Sequence, residues 1–307
     1  MPKVLLATTK PFAPVAVQRI QKIIKMAGYD FMLLEQYGSQ DDLVHSVADA
    51  DALIVRSDVV DRRVIEAAGN LKIVVRAGAG YDNIDLEAAS EKGIVAMNTP
   101  GQNSNAVAEL AMGMMIYMAR NQFNGTSGTE LSGKTLGIHA YGYVGRLVAK
   151  IALGFGMEIY AFDPYIDREV MVRDGVVWMD GAKALYERCQ YISLHIPATG
   201  ETHQSINHDL LSLMPEGAVL VNTARKEVVD EASLEKVFKD RPDFRYIADI
   251  APDNAARLKD LYPERCFFTP KKMGAQTAEA NINAGVAAAE QIVDFFEEGD
   301  TTFQVNK

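Results

Sequence analysis

Leu136-Gly137-Ile138-His139-Ala140-Tyr141-Gly142-Tyr143-Val144-Gly145-Arg146 decides the architecture of this chain. An apolar run enters a turn of small residues and leaves it as a helix-forming segment, the context that a G-x-G-x-x-G match requires. In that setting Gly142 lets backbone N–H groups approach a pyrophosphate at the helix N-terminus, where the helix dipole favours an anion. Gly145 permits close packing of helix on strand. The first glycine of the pattern is replaced by Ala140, the smallest substitute, so the turn is expected to survive slightly altered. The next apolar stretch ends Ala161-Phe162-Asp163-Pro164, which sets a carboxylate 18 residues beyond Gly145. An acid there accepts hydrogen bonds from a ribose 2′-OH and repels the 2′-phosphate of NADP, so the expected cofactor is NAD. The competing reading of Asp163 is an acid that caps the turn before Pro164. Ala140, Tyr141, Gly142, Tyr143, Val144 and Gly145 form the expected phosphate-binding turn.

Outward from this segment, apolar runs alternate with helical patterns in both directions. On the N-terminal side Val4–Thr8, Phe31–Leu34, Ala52–Val55, Ile73–Val75 and Ile94–Met97 are predicted strands, separated by helices over Ala16–Met26, Val60–Ala68 and Leu86–Lys92. Gly28, Gly69 and Gly93 fall where those helices should end. A long helix is predicted from Ser104 to Arg120, then an exposed loop over Asn121–Glu130. Strands follow at Thr135–His139, Glu158–Phe162, Tyr191–His195, Ala218–Asn222, Tyr246–Ile250 and Phe267–Thr269, and a helix at Ala278–Glu298. Such alternation implies parallel sheets covered by helices. The expected fold is α/β, with doubly wound parallel sheets.

Bulk properties narrow the partners. With 307 residues, two domains are the natural division. A net charge of −10 argues against nucleic acid or an anionic membrane as partner. No stretch approaches the roughly 20 apolar residues of a membrane span, and the N-terminus lacks a signal-peptide pattern. Cys189 and Cys266 have no metal-ligand spacing and fit a reducing, cytoplasmic compartment better than a disulfide framework. In so acidic a protein an anionic small molecule must be held by a few local arginines. Arg56 and Arg76 each end a predicted strand and suit a phosphate, the competing reading being solvated strand-end charges. The turn Ala77-Gly78-Ala79-Gly80 offers unhindered backbone N–H groups. Asn103 and Ser104 either add hydrogen bonds to a ligand or cap the following helix.

The chain resembles the D-2-hydroxyacid dehydrogenase family along nearly its whole length. The resemblance is carried by Val75-Arg76-Ala77-Gly78-Ala79-Gly80-Tyr81-Asp82-Asn83-Ile84-Asp85, Asn98-Thr99-Pro100, Ala108-Glu109-Leu110, Leu194-His195-Ile196-Pro197, Val221-Asn222-Thr223-Ala224-Arg225, Ala248-Asp249-Ile250, Thr269-Pro270 and Gly274-Ala275-Gln276-Thr277. Within the family it is most similar to short-form D-3-phosphoglycerate dehydrogenases. The resemblance implies two doubly wound parallel-sheet domains around a cleft, a Rossmann domain at 98–279 and a flavodoxin-like domain from 1–97 and 280–307. It also implies NAD-linked hydride transfer at C2 of a small anionic 2-hydroxyacid by a homodimer. The alternatives are reduction of another 2-ketoacid and a non-catalytic NAD(H)-responsive role. By the same resemblance Arg225 binds the substrate carboxylate and polarises the reacting oxygen. His195, Pro197, Thr202, Thr223, Ala224, Arg225, Asp249, Gly274 and Ala275 fall at cofactor positions.

The sequence departs from the family where proton transfer is expected. The family's acid–base histidine follows the Thr-Pro and is paired with a glutamate; here Lys271-Lys272-Met273 follows Thr269-Pro270, and the glutamate position is Asn254, beside Asp253. A histidine needs a carboxylate to fix its tautomer, whereas an ammonium has none to fix, so loss of both together favours replacement by lysine. Counting from Thr269-Pro270 selects Lys271, and counting back from Gly274 selects Lys272; Lys271 is preferred. The competing reading is a solvated loop. Lys226, where the family has glycine, either adds positive charge or marks an altered turn.

Overall fold

The computed structural model describes residues 1–307, and the chain divides into two compact units, Met1–Asn103 with Gln276–Lys307, and Ser104–Ala275. The first opens β1 (Lys3–Thr8), α1 (Pro14–Met26), β2 (Asp30–Glu35), α2 (Gln40–Val47), β3 (Ala52–Val55), α3 (Arg62–Ala67), β4 (Ile73–Arg76), α4 (Leu86–Glu91) and β5 (Val95–Asn98). The second runs α5 (Ser104–Ala119), β6 (Thr135–His139), α6 (Tyr143–Gly154), β7 (Glu158–Phe162), α7 (Arg168–Arg173), β8 (Val177–Trp178), α8 (Ala182–Arg188), β9 (Tyr191–Leu194), α9 (His208–Leu211), β10 (Val219–Asn222), α10 (Glu231–Asp240), β11 (Arg245–Ala248), α11 (Ala255–Leu261) and β12 (Cys266–Phe268). The chain then returns to the first unit as α12 (Ala278–Glu298).

The five-stranded sheet has the order β2-β1-β3-β4-β5, every pair parallel, which is the flavodoxin-like order. Successive strand residues point to opposite faces, so the apolar runs build two cores. Val4, Leu6, Ile54, Ile73 and Val75 face α1 and α12, whose Ile20, Ile24, Ala284, Ala288 and Ile292 close that side. Leu5, Leu53, Val55 and Val74 face α2, α3 and α4. The packing of α12 on α1 depends on Gly285: a Cβ there would stand 2.8 Å from Ile20 Cδ1. Burying one such isoleucine contributes about 1.5–3 kcal/mol.

The seven-stranded sheet has the order β12-β11-β10-β9-β6-β7-β8, again parallel throughout. Read from β8 this is the dinucleotide-fold order extended by one strand, with the order reversing between β6 and β9. The Ala- and Met-rich α5 is nearly apolar all round and packs with α6 and α7 on one face; α8, α9, α10 and α11 cover the other. No helix is long and apolar enough to cross a membrane.

Several details differ from the sequence expectations. The boundary between units lies after Asn103 rather than after residue 97, because Asn98 Nδ2 donates to the Ala79 carbonyl and the Thr99 N–H to that of Gly78. The return lies after Ala275, ahead of the Thr277 cap of α12. The helix predicted at Val60 begins at Arg62 because Asp61 caps it, and Val60 instead bridges to Ile84. That helix ends at Ala67, and Gly69 lacks the left-handed backbone that Gly28 and Gly93 adopt. The loop after α5 starts as a 3₁₀ turn over Asn121–Phe123 with positive φ at all three residues.

Candidate active site

At the edge where β6 feeds α6, Ala140 sits at φ +77°, where the family pattern has glycine. An alanine in that region costs about 1–2 kcal/mol. It is held there by its N–H, which donates to the Phe162 carbonyl. Gly142 precedes α6 without any side-chain cap, in contrast to α10 and α12, which Asp230 and Thr277 cap. A Cβ on Gly142 would meet nothing within 4 Å, so its α-carbon borders open space at that uncapped terminus. A Cβ on Gly145 would stand 2.4 Å from the Ala140 carbonyl oxygen, so this glycine is required by packing. Exposed Tyr143 and half-buried Val144 begin the helix.

Two residues expected at the cofactor are engaged within the protein at this turn. Tyr141 is fully buried, its hydroxyl faces Asp174 and its N–H donates to Asp163 Oδ2 at 2.7 Å, so neither group is left for a cofactor. Asp163 Oδ1 accepts the Tyr165 N–H at 2.8 Å. Asp163 therefore also caps its own turn and locks the glycine turn of β6 to β7, leaving only its remaining lone pairs for a ribose hydroxyl.

The ends of β6 and β9 bring two histidines together. His139 is buried against Phe162 and Tyr186, with Nδ1 3.3 Å from the Tyr186 hydroxyl. His195 donates its backbone N–H to the His139 carbonyl, and its Nε2 is buried without a partner. Burial depresses both rings, His139 to about 4 and His195, helped by His139, to about 3. An unfolded histidine titrates near pH 6.5, so between about pH 6.5 and 4 the unfolded chain takes up protons that folded His139 refuses. This contribution to stability is complete above about pH 6.5 and is lost as the pH falls towards about 4, amounting to about 3 kcal/mol there. His139→Gln is expected to lessen the loss of stability between pH 7 and 5 in urea unfolding; an unchanged difference would contradict it.

Beyond β10 the turn is pinned by Asn222, whose Oδ1 accepts the Ala224 N–H and whose Nδ2 donates to the Arg225 carbonyl, both at 2.9 Å. This fixes Arg225, whose Nη1 reaches the Ala224 carbonyl at 3.0 Å while the rest of its donor fork bonds to nothing in the chain. The buried Thr223 hydroxyl lacks a partner. Pro197 is exposed, and Thr202 bonds back into its own loop, its hydroxyl donating to the Pro197 carbonyl at 2.5 Å. The Thr202 hydroxyl proton is thus already committed, which leaves its oxygen as an acceptor. Lys226 pairs with exposed Asp253, and that hydrogen bond raises the ammonium's pKa. Its charge is therefore spent locally at the start of a 3₁₀ turn.

After β12, Asp249 organises the loop that carries the lysines. It is 1% exposed, with Oδ1 accepting the Met273 N–H at 2.7 Å and Oδ2 the Gly274 N–H at 2.8 Å. Its carboxylate thus faces the protein backbone, where a cofactor contact was expected. Lys271 and Lys272 are exposed on that loop, Gly274 is buried and Ala275 half-buried. Asn254 turns its amide to Glu231 and Glu235 of α10, so the missing glutamate is not replaced by it.

In the five-stranded unit Arg56 and Arg76 lie at adjacent strand ends, β4 being registered with β3 so that Val55 faces Arg76. Arg56 Nη1 donates to the Lys10 and Pro11 carbonyls, Nη2 to Asn281 of α12, and the guanidinium stacks 4.8 Å over Phe12. Burial lowers its pKa against the opposing pull of Asp58. Only part of its fork remains for a ligand, which narrows the expected role. Arg76 Nε donates to the Arg56 carbonyl, and its Nη1 lies where a Cβ on Gly78 would be, so Gly78 is needed beneath it. Ala77 is buried and its N–H donates to the Val55 carbonyl. Asn103 is half-buried ahead of buried Ser104, the first residue of α5.

Sequence reasoning missed His139, Asn222, Asn281 and buried Asp58, which accepts the Thr9 N–H and the Tyr37 hydroxyl. An asparagine two residues before a turn's N–H is a local signal that would have found Asn222. The other three depend on distant partners.

Set beside known proteins, residues 5–306 match the model of a family described as D-isomer specific 2-hydroxyacid dehydrogenase, catalytic domain. A D-3-phosphoglycerate dehydrogenase of Methanocaldococcus jannaschii is 39% identical over 83% of this chain, and a hydroxypyruvate reductase of Thermotoga maritima 38% over 82%. The chain spans about half the length of the former (51%) and 87% of the latter. The crystal structure of an NAD+-bound 3-phosphoglycerate dehydrogenase from Entamoeba histolytica superposes with a TM-score of 0.88 at 47% identity, covering 100% of this chain and 99% of that one.

Proposed function

Because the chain belongs to the D-isomer specific 2-hydroxyacid dehydrogenase family, we propose that it is an NAD-dependent oxidoreductase that oxidises D-3-phosphoglycerate to 3-phosphohydroxypyruvate, the entry to serine synthesis. The uncapped N-terminus of α6, the open space at Gly142 and the packed Gly145 fit a pyrophosphate. The unpartnered Thr223 hydroxyl and His195 Nε2 are polar groups left for the rest of the cofactor. Bound there, NAD would supply the hydride acceptor for C2.

The protein's own residues do the remainder. Arg225, its fork open and its turn pinned by Asn222, holds the carboxylate and polarises the C2 oxygen. Lys271 takes the hydroxyl proton as hydride leaves C2, and returns it in the reverse direction. Arg76, with what remains of Arg56's fork and the turn at Gly78, meets the phosphate. The observation that carries this reading is that one sheet supports both a turn fit for pyrophosphate and a lysine loop anchored on a buried carboxylate. The same reading takes the chain as a cytosolic homodimer in which Cys189 and Cys266 remain buried free thiols.

A second reading, reduction of hydroxypyruvate or another small 2-ketoacid, is favoured by the heavy use of Arg56 within the protein. NADH oxidation with phosphohydroxypyruvate, hydroxypyruvate, glyoxylate and pyruvate side by side separates the two. The proposal expects preference for the phosphorylated acid, with that preference lost in Arg56→Ala/Arg76→Ala. Preference for an unphosphorylated acid supports the second reading, and NADH binding without turnover of any acid overturns both.

A further inference from the structure

We propose that Asp249 is the positioning residue of the lysine-bearing arch Thr269–Gly274, gripping both ends of the arch; this rests on the functional reading above. The arch springs from Thr269, whose hydroxyl lies 2.5 Å from the Asp249 carbonyl oxygen and 3.1 Å from Oδ1, so one proton is shared between them. It lands on the N–H groups of Met273 and Gly274, each donating to a different oxygen of the same carboxylate. Between these anchors stand Pro270, whose φ is fixed by its ring, and the two lysines. Gly274 completes the grip, because a Cβ there would stand 3.0 Å from Asp249 Oδ2 and 3.2 Å from Val107 Cγ2.

The Asp249 carboxylate accepts from the Thr269 hydroxyl and from the Met273 and Gly274 N–H groups. Its buried carboxylate is satisfied by N–H and O–H donors, which is the arrangement that makes burial of such a group tolerable. Both oxygens are needed as acceptors. In Asp249→Asn the side-chain amide sets an N–H against one of the two backbone N–H groups, releasing one foot of the arch with little change in volume. The lysine then loses its fixed geometry, while the phosphate turn at β6 is untouched.

The test uses the full chain as wild type, Asp249→Asn, Thr269→Ser and Thr269→Val, with three readouts: 2-ketoacid reduction, NADH affinity by fluorescence titration, and hydrogen exchange at Met273 and Gly274. The proposal expects Asp249→Asn to lower kcat about 10–100-fold, the range for residues that orient a functional group. KM and NADH affinity should change little, and the two amides should lose protection. Thr269→Val should fall in the same direction and Thr269→Ser should be restored, which keeps the proposal testable if Asp249→Asn does not fold. Wild-type kcat in Asp249→Asn, or a loss confined to NADH affinity, would overturn it. If the wild type reduces no 2-ketoacid, the functional reading fails separately. The grip is then decided by exchange: equal protection in wild type and Asp249→Asn refutes it.

Discussion

Lys271→Ala lowers kcat for 2-ketoacid reduction by about 10²–10⁴-fold, the range for loss of a general acid, while NADH binds almost as in the wild type. The split follows from where the two functions reside. The pyrophosphate turn is built from β6 and α6, and the lysine stands on the arch after β12. Truncating an exposed lysine removes no core contact, so lost activity cannot be attributed to unfolding. Lys272→Ala is the control and keeps most of the activity. An inactive Lys272→Ala beside an active Lys271→Ala would move the assignment by one residue. Full activity in both single variants and in the double would end the lysine mechanism.

The second large effect is expected at Arg225. Arg225→Gln should lower kcat/KM by about 10²–10³-fold, the loss seen when one donor to a developing oxyanion is removed. Arg225→Lys should recover little, because a point charge does not reproduce a planar fork that holds a carboxylate and a carbonyl oxygen together. The turn itself should persist in either variant, since Asn222 pins it through backbone groups. Steady-state kinetics across the three proteins checks this, and a fully active Arg225→Lys would show that charge alone suffices.

The fold was legible wherever apolar runs are long and bounded by turn residues. β3, β6, β7 and α12 run over the residues that the pattern predicts, and the other predicted strands differ by only one or two residues at an end. The alternation implies parallel sheets, and both sheets are parallel throughout. Two elements outside that pattern carry little apolar signal: α2 has only Leu43 and Val47 buried, and β8 is two residues long.

The site was legible at residues whose role is local and illegible where the partner is far away. Gly145 is demanded by a carbonyl five residues earlier, so the motif alone reveals it. The commitment of Asp163 to the Tyr141 N–H spans 22 residues, and that of Arg56 to Asn281 spans 225. Spacing along the chain cannot report such pairs, because register and tertiary packing create them. Asp249 shows the consequence. Its position suggested a cofactor contact, while its hydrogen bonds belong to the lysine arch.

The central claim is that a lysine does the work of the family's histidine in a competent NAD-linked dehydrogenase. It is tested most directly by a single turnover, mixing protein loaded with NADH against phosphohydroxypyruvate and following loss of the bound NADH signal. The account predicts one complete oxidation of NADH with formation of D-3-phosphoglycerate in the wild type, and a bound but persistent signal in Lys271→Ala/Lys272→Ala. A double variant that oxidises its NADH at the wild-type rate would contradict it, as would a wild type that binds NADH and never oxidises it.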